Sequence, residues 1–205
     1  MSGAALGALF DISSNATNPI AVAPSAPNWI AIAGAYVTHL QTVAAIDTTL
    51  LVANPAGGPI TGVGAIKSMV ASTLGTNLAV AATTGNPPAT AAVTPTWIAI
   101  AQAFITNVQS ATVILPGTLA SPLGGGPVTG LGVITALLPN PLGDAMCTAA
   151  SAGNASVFAQ TQSTWRAMAL NLTAHIMTSG QAGPGAGATQ LVAAGVAVTG
   201  SGALL

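Results

Sequence analysis

The glycine-rich decamer GGPITGVGAI occupies residues 57–66 and returns as GGPVTGLGVI at residues 125–134, 68 residues later. A second motif keeps the same interval, because the three tryptophans of the chain are Trp29, Trp97 and Trp165. Two separate motifs on one period indicate a tandem repeat of about 68 residues. The partial motif VTGSG near the chain end follows the third tryptophan in the same way, two residues late.

Each tryptophan opens a copy of one predicted helix. WIAIAGAYVTHLQ (29–41) matches WIAIAQAFITNVQ (97–109) at eight of thirteen positions, and WRAMALNLTAHIM (165–177) is a weaker third copy. Apolar residues recur at helical spacing in all three. Before the second copy, Thr94 is predicted as the N-cap and Pro95 as the first helical residue. At first-turn positions the tryptophans are expected to anchor the core rather than to stack on a ligand.

The predicted repeats span residues 27–94, 95–162 and 163–205. The last is expected to be truncated, because it stops just after its glycine motif. Residues 1–26 are left over and are predicted to form an extended N-terminal arm.

The decamer is predicted to join a β-prone linker to a second helix. Residues 65–85 and 133–151 are expected to form these second helices, with Pro139 and Pro141 interrupting the latter. Glycine permits positive φ and close backbone contact at such a joint. The predicted fold class is therefore mainly α, in the α+β sense, with three tandem helix–glycine-rich loop–helix repeats. Besides the tryptophans, the predicted repeat anchors are Gly58, Gly62, Gly64, Gly126, Gly130, Gly132, Gly200 and Gly202.

Charged residues make up 2% of the chain, against about a quarter in an ordinary globular protein. They are Asp11, Asp47, Asp144, Lys67 and Arg166. A surface with so little charge suits burial against other subunits rather than free solution. Two cations cannot neutralise a track of phosphates or hold an anionic bilayer, so neither nucleic acid nor membrane is an expected partner.

The residue set lacks material for catalysis. Three scattered carboxylates form no acid–base pair, and Ile66 stands before Lys67 where a phosphate-binding loop needs glycine. His39 and His175 hold equivalent positions and are either metal ligands around an axis or hydrogen-bonding groups. The second interpretation is favoured because no acidic or cysteine partner lies at ligand spacing. The expectation is a non-enzyme with no cofactor, no metal and no small-molecule substrate.

WIAIAQAFITNVQSATV (97–113), followed by GGPVTGLGVI, resembles small Ala/Gly/Thr-rich structural proteins of long-tailed, contractile bacteriophages. The resemblance implies a neck, tail or baseplate component that packs against copies of itself and other structural proteins. It also implies location in the virion after assembly in the host cytoplasm. Two alternatives stay open, a secreted surface-layer or filament subunit of a bacterium and a membrane-associated pore.

Overall fold

The structure is a computed structural model that describes residues 1–16, 22–185, 190–200 and 202–205. These residues form six α-helices and thirteen short strands, which confirms a mixed α+β class. The chain divides into two compact units, and it passes from one to the other five times. The helical unit is residues 1–39, 70–107 and 138–175, and the β unit is residues 40–69, 108–137 and 176–205.

A short helix followed by a long helix occurs three times along the chain. The helices are α1 (Gly3–Ser14), α2 (Val22–Thr42), α3 (Ala71–Ala82), α4 (Pro87–Ala111), α5 (Pro139–Ser151) and α6 (Ala155–Ser179). Gly85 and Gly153, with φ of 74° and 81°, follow the ends of α3 and α5. Asn86 and Asn154 come next, and their side-chain oxygens accept hydrogen bonds from amides in the first turns of α4 and α6.

The prediction that Thr94 caps the second long helix is wrong, because α4 begins at Pro87. Asn86 and Pro87 supply a cap and a first helical residue, and the Ala-rich residues that follow favour helix. Thr94 lies inside α4, where its hydroxyl donates to the carbonyl of Thr90 at 2.7 Å. Pro95 follows it inside the helix, where its missing N–H costs one backbone hydrogen bond.

The predicted extended arm, residues 1–26, is wrong for residues 3–14 and 22–26, which are helical, and its residues 17–21 lie outside the described residues. Residues 3–14 form α1, which is rich in alanine and leucine, and the Ser2 hydroxyl accepts a hydrogen bond from the Ala5 amide at 3.4 Å. The three predicted repeat starts at residues 27, 95 and 163 all fall inside a long helix. The repeat itself stays a prediction.

The expected second helices are shorter than predicted. Helix occupies only Ala71–Ala82 of residues 65–85, and Ala65–Lys67 form a strand. Pro139 and Pro141 do not interrupt a helix; they lie in the first turn of α5, after the N-cap residue Leu138. Proline is tolerated there because the first amides of a helix have no intrahelical partner.

The β unit contains short antiparallel strands. They are β1 (Ala45–Asp47), β2 (Leu51–Val52), β3 (Gly58–Pro59), β4 (Thr61–Gly62), β5 (Ala65–Lys67), β6 (Val113–Leu115), β7 (Ala120–Ser121), β8 (Gly126–Pro127), β9 (Gly132–Thr135), β10 (Gln181–Gly183), β11 (Val192–Ala194), β12 (Ala197–Thr199) and β13 (Ala203–Leu204). The two decamers therefore form strands, and the prediction that they lead directly into a helix is wrong.

Each of the three stretches of the β unit folds back on itself. The pairs that close them are Ala45 with Lys67, Val113 with Thr135, and Ala182 with Leu204. The stretches also pair with one another in a cycle, so that the first meets the second, the second meets the third, and the third returns to the first. The residues paired in these joints are Gly58 with Ser121, Gly126 with Ala193, and Ala197 with Val52.

Candidate functional site

Helix crossings in the helical unit depend on three glycines that the sequence analysis missed. An added Cβ at Gly7, Gly75 or Gly143 would lie 2.4, 2.4 or 2.6 Å from a backbone Cα on the following long helix. The residues they meet are Ile30, Ile98 and Arg166. The signal was present, because a Leu-Gly pair occurs at residues 6–7, 74–75 and 142–143, again 68 residues apart. Only glycine lets the helices of each pair approach this closely.

The three tryptophans lie on α2, α4 and α6 and are half-buried rather than fully buried. Trp29 packs edge-on against Phe10 of α1, with ring centroids 6.2 Å apart. The deepest aromatic contact is instead between Tyr36 and Phe104, whose centroids are 4.9 Å apart and which both have almost no exposed surface. The tryptophans therefore lie at the margin of this core, and their role as repeat anchors stays a prediction.

Gly62, Gly130 and Gly200 share one geometry in the β unit. Their φ angles are 87°, 86° and 99°, in the left-handed region that favours glycine. An added Cβ would lie 2.0, 2.0 and 2.1 Å from a backbone carbonyl oxygen. Those oxygens belong to Leu50, Thr118 and Gln190. The positive φ and close backbone contact expected from the sequence are both present at these positions.

The remaining predicted glycines lie where one stretch of the β unit meets the next. Gly64 and Ile114 exchange two backbone hydrogen bonds of 2.8 Å. Gly132 pairs with Ala182, so it joins the second stretch of the β unit to the third. A Cβ added to Gly202 would lie 2.5 Å from the Ile46 side chain. Gly58 and Gly126, with φ of 111° and 126°, lie in strands that pair with a neighbouring stretch.

Each of the two histidines joins one helical pair to another. The amide of Val70, the N-cap residue of α3, donates to His39 Nε2 at 3.2 Å. The amide of Ser2, the N-cap residue of α1, donates to His175 Nε2 at 3.1 Å. Burial lowers the pKa of both imidazoles, and the nearby amino terminus lowers that of His175 further. Both imidazoles thus act as hydrogen-bond acceptors, which is the interpretation that the sequence favours.

Asn107 holds the position equivalent to these histidines on α4. Within the described ranges no group of three or more His, Cys, Asp or Glu side chains could hold a metal ion. Cys147 is fully buried in α5, with its sulfur 3.5 Å from the Phe158 carbonyl and the Thr161 hydroxyl.

Four of the five charged side chains are paired with each other. Lys67 Nζ lies 3.0 Å from Asp47 Oδ1, and hydrogen bonds from Thr49 and Lys67 lower the pKa of Asp47 to about 2. Arg166 binds Asp144 with two hydrogen bonds of 2.7 and 2.8 Å, which lower the pKa of that carboxyl.

The fifth charged side chain, Asp11, is 1% exposed and accepts hydrogen bonds from Asn15 and Ser25. The surface therefore carries no unpaired charged side chain.

Besides a cleft of about 240 Å³ where α5 meets α6, two further clefts lie within the units. One of about 330 Å³ lies between the end of α1 and α6 and is lined by Ile12, Ser13, Ser14, Ala16, Ser163, Thr164 and Ala167. The other, of about 160 Å³, lies in the β unit beside Asp47, Thr49 and Thr112. The Thr112 hydroxyl is buried and has no hydrogen-bond partner among the described residues. Neither cleft brings a nucleophile together with a base.

Comparison with family models, curated proteins and solved structures found no match for this chain. One helix of the described residues, Pro87–Ala111, has the length and hydropathy needed to cross a bilayer. The core helix of a soluble protein passes the same test, so this helix alone is weak evidence for a membrane protein.

Proposed function

We propose that the chain is a non-enzymatic structural subunit of a larger symmetric particle, a neck, tail or baseplate component of a bacteriophage virion. The observation that carries the proposal is the uncharged surface. With four charges neutralised in pairs and Asp11 buried, association with a neighbour strips water from no unpaired charge. Desolvation of charge is the main cost of burying a protein surface, and here it is small.

A second part of the proposal concerns the repeat. The helix pairs, the Leu-Gly crossings and the strand joints share one period, and they fit three repeats at residues 1–69, 70–137 and 138–205 better than the frame that begins at residue 27. Each such repeat contributes one helix pair and one stretch of strands. A chain built this way carries three similar faces, which suits a position on a symmetric axis of a particle.

Exposed apolar side chains support association. Leu123 is 80% exposed in a turn of the β unit, and Leu170 is 55% exposed on α6. Exposed single leucines are ordinary on a charged surface. On this surface no unpaired charge surrounds them, so contact with another subunit is expected to be favourable. The proposed partners are other copies of the chain and other structural proteins, in a particle assembled in the host cytoplasm.

Mass photometry and analytical ultracentrifugation of the purified chain at micromolar concentration test the proposal. We expect oligomers larger than the 19.6 kDa monomer. Leu123→Glu and Leu170→Glu each add a charge to one unit, and the variant that lies in the contact should dissociate. Gln102→Glu adds the same charge at the equivalent exposed position on α4, and dissociation of this variant too would show that the similar faces share the contact. A clean monomer across the concentration range would refute the assembly proposal.

A membrane-associated pore is the second candidate, favoured only by the apolar helix α4. Flotation of the chain with lipid vesicles, and leakage of a trapped dye, separate the two functions. A structural subunit stays in the aqueous fraction without detergent, whereas a pore component floats and releases the dye.

A further inference from the structure

We infer that the helical unit contains an acid-sensitive clasp, in which His175 and His39 hold the N-termini of α1 and α3 and release them when the imidazoles are protonated. The inference rests on the two histidine joints alone and does not require the proposed function.

The two hydrogen bonds fix the charge state of both rings. A backbone amide can only donate, so the Nε2 atom that accepts from Ser2 or Val70 must carry a lone pair. Each ring is therefore neutral, with its proton on Nδ1. Protonation would place an N–H opposite another N–H and would convert each attraction into a repulsion.

Helix dipoles act on both rings, and at His39 they act in opposite directions, because His39 lies in the last turn of α2, beside the negative end of that helix. Ser2 and Val70 precede the first turns of α1 and α3, where the helix dipole presents its positive end. His39 is 2% exposed, so a charge there would also lose most of its hydration.

Few charged groups bear on these two rings. The positive charge of the Met1 amino terminus lowers the pKa of His175 further, whereas burial lowers the pKa of His39. The other charges of the helical unit are Asp11, bonded to Asn15 and Ser25, and the Asp144–Arg166 pair.

The joint between α6 and α1 is the one that should open first. The chain itself leads from α2 to α3 and from α4 to α5, whereas α1 and α6 are held together only by non-covalent contacts. Besides the His175 bond, Asn171 Nδ2 donates to the Leu9 carbonyl at 3.2 Å and to the Ser13 hydroxyl at 2.8 Å. An open cleft of about 330 Å³ lies beside the end of α1, between it and α6.

The pH range of the effect follows from proton binding. The pKa of each histidine is lower in the native chain than its value of 6.5 in an unfolded chain. Between these values the unfolded state binds more protons, so stability is highest above pH 6.5 and falls as the pH drops toward the native pKa. The chain has two histidines and no glutamate, and hydrogen bonds lower the pKa of Asp47 and Asp144. The variant that lacks both histidines therefore gives the baseline against which the histidine contribution is measured.

Urea unfolding of the full chain between pH 7.5 and 5 tests the clasp. Protonation of one histidine can change the unfolding equilibrium constant by at most about tenfold per pH unit. His39→Asn and His175→Asn should each make the pH dependence of this constant shallower than in the wild type, and the double variant should have the shallowest slope. Asparagine is the matched replacement, because Asn107 occupies the equivalent position on α4. Asn107→His should conversely steepen the slope.

Hydrogen exchange measured by mass spectrometry locates the opening. Corrected for the intrinsic rate, exchange in residues 3–14 should accelerate at pH 5 in the wild type and in His39→Asn, but not in His175→Asn. Nitrogen-15 NMR of the wild-type rings gives an answer that needs no variant to fold, and it should find the Nδ1–H tautomer at both histidines. The inference is overturned by an unchanged pH slope in the double variant, by exchange in α1 that ignores pH, or by rings that titrate at 6.5 or above.

Discussion

The hydroxyl of Tyr36 is a polar group in an otherwise apolar core. Its ring packs against Phe10 and Phe104 and is 1% exposed, yet its hydroxyl has no hydrogen-bond partner among the described residues. Burial raises the pKa of the phenol, so the group stays protonated and remains an unsatisfied donor. Phe104 occupies the equivalent position on α4 without the hydroxyl. The oxygen of Tyr36 therefore weakens the core that its ring helps to build.

Tyr36→Phe should raise the free energy of unfolding by about 1 kcal/mol, because an unsatisfied buried hydroxyl costs roughly that much or more. Urea denaturation at pH 7.5 measures the change. Phe104→Tyr is the reciprocal control and should lower stability. A Tyr36→Phe variant that is less stable than wild type would mean that the hydroxyl has a partner in solution.

At the scale of elements, glycines set how closely the backbone can approach itself. Gly62 combines a positive φ with a carbonyl oxygen 2.0 Å from the place a Cβ would take. Gly124 has a similar φ of 79°, but a Cβ there would meet nothing within 4 Å. Comparing Gly62 with Gly124 separates the cost of the backbone angle from the cost of the steric collision. At Gly62, within the first decamer, both costs apply.

Gly124→Ala should cost about 1–2 kcal/mol, the penalty for a left-handed alanine. Gly62→Ala should cost a further 1–3 kcal/mol or so, since the Leu50 carbonyl must move. Thermal or urea unfolding of both variants measures the difference. Equal losses for the two would show that the backbone near Leu50 yields freely and that the close contact contributes nothing.

For the whole molecule, the decisive property is the absence of unpaired surface charge. Lys67 and Arg166 each lie within ion-pair distance of an aspartate on the same chain. Contacts with neighbours must then come from apolar surface and neutral hydrogen bonds. Such contacts respond to salt differently from charge-based ones, because screening weakens interactions between charges and leaves apolar contacts largely unchanged.

Self-association should therefore change by less than about threefold between 50 mM and 500 mM sodium chloride. Ammonium sulfate should strengthen it, because excluded salts favour burial of surface. Sedimentation velocity over a concentration series measures both. A steep loss of association in sodium chloride would instead point to ion pairs between subunits.

The sequence by itself determined the mixed class, the scarcity of charge and the need for glycine at the decamers, and it predicts a 68-residue period. These follow from composition and spacing. It also contains the Leu-Gly pairs and the Gly-Asn helix junctions, which carry the same interval.

Only the tertiary structure decided that residues 3–14 are helical and that the decamers are strands rather than helix joints. It alone brought Ser2 to His175, 173 positions apart in the chain, and closed the cycle of strands between Ala197 and Val52. A repeat fixes only an interval, so any starting point satisfies it equally well. Its starting point depends on which surfaces bury each other, and contacts between distant residues leave no mark on local spacing.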